Sequence, residues 1–308
     1  RGWLRVPLTV IAGGLVFTAL TVGMHALEDD PRYINIWPEG HVLAQELNRV
    51  TDANHAVLIE RGETARTFMN ALSAPVLVAT LGPAPGEDYG QGVTIETDDL
   101  SEQAGAVNAQ AISYLAETYT DVWLVTGSSP FEPNKRRPIE RLLVQYTFPV
   151  EEISTGARAR AIHFYTGQIA SQAEPTQIIN ATFADVLTLE GYDLPAGPTI
   201  NAGEVLPVSL AWMPVGTIPF DYHLNLYLAG PDGLPVAQRS GGPQATFGAM
   251  TTWPAGERQR DPHGLIVPAA TPPGTYTLRL VVYDWRDGSR LTLADGGDTL
   301  TLAQITVE

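Results

Sequence analysis

The sequence predicts a multidomain chain with an N-terminal transmembrane helix, an α/β three-layer (Rossmann-like) domain and a C-terminal antiparallel β-sandwich of Ig-like or jelly-roll-like type. Three observations carry this. Residues 6–27 hold no charged side chain. Between Trp37 and Tyr165 the apolar pattern switches between helical and strand periods. From Glu174 onward, Pro and Gly turns recur about every 8 to 15 residues between β-rich runs. The expected division is 1–29 for the helix, 30–170 for the α/β domain and 174–308 for the sandwich.

At about 1.5 Å per residue, the apolar run makes a helix about 33 Å long, enough to span a bilayer. Arg1 and Arg5 precede it, while Glu28, Asp29 and Asp30 follow it. Cationic flanks stay on the cytoplasmic side, so residues after about 30 are expected to face outward from the cell membrane, with the lipid bilayer as a partner. The chain opens on Arg1 instead of Met, which suggests the last helix of a longer protein. A signal peptide has a shorter apolar core and small residues at its cleavage site, unlike the ending Gly23-Met24-His25-Ala26. Gly13, Gly14 and Gly23 would suit close packing against other helices.

The elements of the α/β half follow in order. Pro38 opens a helix through Val50 with Val42, Leu43, Leu47 and Val50 on one face. A short buried strand spans residues 55–60, a helix 63–72, a strand 75–80, a helix 100–119 and a strand 121–126. Residues 138–146 form the next helix, and 150–154 and 160–165 close the unit as edge strands. In the second half the expected strands are 181–189, 205–212, 222–228, 236–240, 264–267, 276–283, 290–293 and 300–307. Pro231-Asp232-Gly233 and Asp287-Gly288 are strong turn signals.

Composition excludes several functions. With 34 acidic and 18 basic residues the net charge is -16, which repels phosphates and argues against nucleic acid as a partner. Cysteine is absent, so there is no disulfide framework, thiolate zinc site or cysteine nucleophile. The six histidines, at 25, 41, 55, 163, 223 and 263, show no pair at metal-ligand spacing. The turns Arg61-Gly62-Glu63 and Gly127-Ser128-Ser129-Pro130 match neither a dinucleotide fingerprint nor a phosphate loop, so no cofactor is expected. Ser128 and Ser129 lack a nucleophile-elbow pattern. No residue is assigned as catalytic.

Two groups remain as candidate contacts. Lys135, Arg136 and Arg137 form a cationic cluster in an otherwise acidic chain, suited to a phosphate or lipid headgroup. A solvated loop, or pairing with nearby acids, is the commoner origin of such a charge run. Among the aromatics of the second half, Trp212 and Tyr283 read as core, whereas Trp253 and Trp285 sit in turn-rich sequence and are the candidate glycan contacts. Asp284, Asp287, Asp295 and Asp298 suit either calcium or turn formation.

Three stretches of the second half carry a resemblance. They are Phe183 to Leu194 with Leu189-Glu190-Gly191-Tyr192-Asp193-Leu194, then Leu210-Ala211-Trp212 with Asp221-Tyr222-His223-Leu224-Asn225-Leu226. The third runs from Asp261 to Pro268, followed by Pro273-Gly274-Thr275-Tyr276 and Val282-Tyr283-Asp284. Together they resemble the C-terminal extracytoplasmic region of bacterial, Chloroflexi-type integral-membrane glycosyltransferases related to protein mannosyltransferases and aminoarabinose transferases. The resemblance implies a parent that transfers a sugar from a polyprenyl-phosphate donor to a glycan or protein acceptor. It places the catalytic acids in an external loop absent from this sequence. This chain would then be a non-catalytic accessory region; the alternative is a membrane-anchored surface protein with a carbohydrate-binding or structural sandwich.

Overall fold

The computed structural model describes residues 38–60, 68, 71–74, 77–81, 93–95, 114–115, 117–126, 138–155, 159–168, 174–246 and 249–308. The first unit comprises helix α1 (Pro38–Val50), strands β1 (His55–Glu60), β2 (Leu77–Leu81), β3 (Val93–Ile95) and β4 (Asp121–Thr126), helix α2 (Pro138–Tyr146), and strands β5 (Phe148–Ser154) and β6 (Arg160–Tyr165). Its six strands lie in the order β3-β2-β1-β4-β6-β5. The first four are parallel, while β6 runs antiparallel to both β4 and β5. Alternation along the strands gives the sheet two apolar faces. Val57, Ile59, Trp123, Val125 and Ala161 pack with Leu43 and Leu47 of α1 and with Phe68. Ala56, Leu58, Val122, Leu124, Ile162 and Phe164 pack with Leu115 and with Leu143 and Val144 of α2.

This architecture corrects three expectations. The described chain is mostly β, with only two helices continuous for more than a turn. In its first sheet β6 runs against the other five strands, and sheets dominate the described chain, so the Rossmann-like three-layer class does not hold. No helix among the described residues is long and apolar enough to cross a membrane. The transmembrane helix and the cell-membrane placement built on it are therefore unsupported; residues 1–37, where the sequence places that helix, lie outside the described residues. Finer corrections follow from packing. Val42 and Val50 of α1 are exposed, because the buried stripe is Leu43, Ala44 and Leu47.

The second unit is two sheets packed face to face, antiparallel throughout except where β9 pairs parallel with β15. One holds β7 (Gln177–Phe183), β8 (Leu187–Asp193), β10 (Val205–Pro214) and β13 (Gln259–Ile266), in the order β13-β10-β8-β7. The other holds β9 (Thr199–Ile200), β11 (His223–Ala229), β12 (Pro235–Gly241), β14 (Gly274–Tyr283) and β15 (Leu300–Val307), in the order β12-β11-β14-β15-β9. One core joins them, with Phe183, Leu189, Leu210 and Trp212 of the first sheet against Leu224, Leu226, Leu280 and Val282 of the second. Each such side chain contributes about 1.5–3 kcal/mol by leaving water.

The single strand expected over 181–189 is a hairpin. Ala184 and Asp185 both adopt positive φ (47° and 55°), and the Val186 N–H donates to the Phe183 carbonyl. Mirror-image turns of this kind match strand twist but usually announce themselves with Asn-Gly, which Ala-Asp does not. Residues 290–293 make only isolated bridges, Tyr283 to Arg290 and Phe183 to Leu293.

The two units meet where β5 lies against β13. Gly264 makes this approach possible. A Cβ there would stand 2.7 Å from Val150 Cγ2, 3.0 Å from Val205 Cγ1 and 3.3 Å from the Phe148 carbonyl. Arg239 of β12 reaches across and donates from Nη1 to the Val150 carbonyl.

Candidate functional site

Leu224, Leu226 and Leu228 point into the sandwich core, so strand alternation puts His223, Asn225 and Tyr227 on the opposite face. On β14, Tyr276, Leu278, Leu280 and Val282 point inward, which turns Arg279, Val281 and Tyr283 outward. Register then places His223 opposite Tyr283, Asn225 opposite Val281 and Ser240, and Tyr227 opposite Arg279 and Gln238. The outward face of the second sheet thus carries one rank of rings at His223 and Tyr283 and a second rank with the single ring of Tyr227, separated by four residues, or about 14 Å along the strand.

Trp285, in the turn after β14, completes the upper rank. Its ring stacks on His223 with centroids 5.8 Å apart at 30°, and Tyr283 meets His223 edge-on at 5.8 Å and 80°. Tyr283 Oη and Ser240 Oγ share a hydrogen bond of 3.1 Å. Burial pulls the His223 imidazole below its ordinary pKa against the opposing charge of Asp221, which keeps the ring neutral at neutral pH. Beside this rank, Phe220 packs edge-on to Tyr222 at 6.2 Å, and the Arg286 guanidinium lies 3.7 Å from the Phe220 centroid. Arg286 is also bound by Asp284, whose pKa its hydrogen bonds hold at about 2.

Between His223 and Tyr227, and directly beside Tyr227, hydrogen-bonding capacity is unused. Asn225 Oδ1 and Arg279 Nε are shielded from solvent and have no partner among the described residues. Buried polar atoms are normally paired, so these two leave one acceptor and one donor open on the ringed face.

The candidate contacts named from sequence separate here. Trp285 is 56% exposed and stands on this face, whereas Trp253 is 6% exposed and belongs to the core. Trp212 is core as read, but Tyr283 is half-buried and faces outward. Lys135, Arg136 and Arg137 lie outside the described residues. The acids considered for calcium are used elsewhere: Asp284 on Arg286, Asp298 on Arg290 and Thr299, and Asp287 and Asp295 on the backbone N–H groups of Ser289 and Gly297. Among the described residues no cluster of three or more metal-ligating side chains occurs. His223, Asn225, Tyr227 and Arg279 are not singled out by the sequence reading. The signal is there, because the alternation of Tyr276, Leu278, Leu280 and Val282 already assigns their neighbours to the other face.

Two further polar groups are structural in character. Asp261 is fully buried; it accepts from the Gln244 N–H at 2.7 Å and Trp212 Nε1 at 3.3 Å, and lies 2.8 Å from His263 Nε2. In the first unit His163 donates to Asp121 at 2.7 Å and stacks on Trp123 at 4.5 Å, with His55 Nε2 3.7 Å from the same carboxylate. A cleft of about 350 Å³ opens at the junction of the units, lined by Glu151, Glu152, Ser240 and His263 among others. Glu152 is taken up by Arg160, at 2.8 and 2.7 Å.

No family model and no curated protein matches the chain. Among solved structures, the CARDB domain of the PF1109 protein from Pyrococcus furiosus, in complex with di-metal ions, aligns with 45% of this chain and 98% of its own length at 10% identity and TM-score 0.25. The C-terminal domain of Wzt aligns with 44% of this chain and 82% of its own at 9% identity and TM-score 0.28. A Niemann-Pick type C2 protein from the Japanese carpenter ant gives 44%, 98%, 12% and 0.27. Similarities this low carry no functional argument.

Proposed function

We propose that this chain is a non-catalytic saccharide-binding region that serves a glycosyltransferase, with the outward face of the second sheet as the binding surface. The observation that supports this reading is the pairing of one exposed and three half-buried rings with unpartnered polar atoms on one sheet face. Trp285, His223, Tyr283 and Tyr227 offer apolar faces for the C–H surface of pyranose rings, while Asn225, Arg279, Ser240 and Gln238 offer hydrogen bonds between them. Two ranks about 14 Å apart suit a short oligosaccharide more than a single sugar. The service to a glycosyltransferase rests on the sequence resemblance between Phe183 and Leu291.

Titration calorimetry of the chain against a panel of neutral and acidic oligosaccharides tests the reading. Binding that Trp285→Ala and Tyr227→Ala each weaken by tenfold or more is the expected result. If no oligosaccharide binds, or if both variants bind as tightly as the parent, the surface is misassigned.

A further inference from the structure

We infer that the saccharide held by this face carries a carboxylate, as a uronic acid does, and that Arg279 receives it. The inference rests on the saccharide-binding reading and adds the charge of the ligand. Arg279 stands at the centre of the face, in register between Tyr227 and Thr301. It is half-buried, and among the described residues its guanidinium has no ion pair and its Nε no hydrogen-bond acceptor. The other arginines at this end of the sandwich are matched, Arg286 by Asp284 and Arg290 by Asp298. The outward positions of β11, β12, β14 and β15 around it are His223, Asn225, Tyr227, Gln238, Ser240, Thr277, Val281, Tyr283, Thr301 and Gln304, none of them acidic.

A cation left unmatched in a chain of net charge -16 calls for an anion from outside. The planar guanidinium fork fits a carboxylate through two parallel hydrogen bonds. One guanidinium balances one negative charge, which favours a carboxylate over a phosphate monoester dianion. The neighbouring strand N–H groups are also committed to the ladder and form no phosphate cradle.

The test compares triuronic acids (galacturonic, glucuronic and mannuronic) with their methyl esters, which keep shape and lose charge. Calorimetry on the complete chain is expected to show at least one acid binding about tenfold more tightly than its ester, as befits one charge-assisted contact. Arg279→Gln should abolish that preference and leave ester affinity within about twofold, and raised salt should weaken the acid alone. Arg49→Gln, on α1 of the first unit, serves as the folding and charge control. Equal binding of acid and ester, or a preference that survives Arg279→Gln, overturns the carboxylate assignment while leaving saccharide binding intact. Failure of every acid and ester, together with every neutral oligosaccharide, overturns both. Competition by inorganic phosphate stronger than that by the uronic monosaccharide reassigns Arg279 to phosphate and overturns the inference.

Discussion

Replacing Gly264 with alanine tests the junction between the two units. The new methyl would lie 2.7 Å from Val150 Cγ2 and 3.0 Å from Val205 Cγ1, both well inside ordinary carbon contact, and 3.3 Å from the Phe148 carbonyl. Overpacking of this degree costs about 1–3 kcal/mol. Val150→Ala removes two buried methyl groups and costs about 2 kcal/mol with the cavity it leaves. In the double variant the shortened side chain at position 150 opens the space the new methyl needs. The two losses should therefore fall short of additive by at least about 1 kcal/mol. Rescue stays partial, because Val205 and the Phe148 carbonyl do not retreat. Urea titrations of the four proteins, followed by far-UV circular dichroism, measure the cycle. With two units in one chain, the comparison is made within a single resolved transition. Additivity within about 0.5 kcal/mol would refute the contact between β5 and β13.

Other outcomes follow from the same geometry. Trp253→Ala should cost about 3–5 kcal/mol, because the ring is buried, whereas Trp285→Ala should change the melting temperature little; thermal melts of both decide this. Gly191→Ala would put a methyl 2.2 Å from the Gln177 carbonyl and should destabilise the sandwich by about 3 kcal/mol, while Gly216→Ala, with open space around it, should be neutral or stabilise by up to about 1 kcal/mol. Burial lowers the His55 pKa despite the nearby Asp121 and Asp52 charges, so its contribution is present above about pH 6.5 and declines as pH falls toward the lowered folded value. Burial alone would raise Asp121, but the His163 hydrogen bond, helped by Thr120 and His55, outweighs it and lowers its pKa. That stability is present above about pH 4 and lost as pH falls through the folded value. Urea midpoints between pH 8 and 3 should fall in both windows; His55→Gln should reduce the fall in the upper one, to which His223 also contributes, and lessen slightly the fall in the lower one.

Local patterns make parts of the fold legible. Pro at the first helical position and spaced apolar residues define α1 and α2 to their observed bounds, and unbroken apolar runs do the same for β1 and β4. Misses arise where partners decide the outcome. Val42 and Val50 fit a helical stripe, yet the sheet lies against Leu43 and Leu47 instead. The strand expected over 264–267 begins at Gln259 instead, because the burial of Asp261 depends on Trp212, Gln244 and His263, which converge only after folding. Tyr283 reads as core because an aromatic residue on a strand usually is. A shift of one position along the pleat moves a side chain to the other face, and here that step separates Val282 in the core from Tyr283 on the outward surface.

The junction of β5 and β13 has a meaning beyond packing. Each is the outermost strand of its sheet, and each would otherwise offer a row of unpaired amides to a passing chain. Lying against one another, they hide that invitation, and Arg239 occupies one of the carbonyls that β5 would present. Either half made alone would bare such a border and would tend to recruit copies of itself. The contact between the units thus also covers one open border of each sheet.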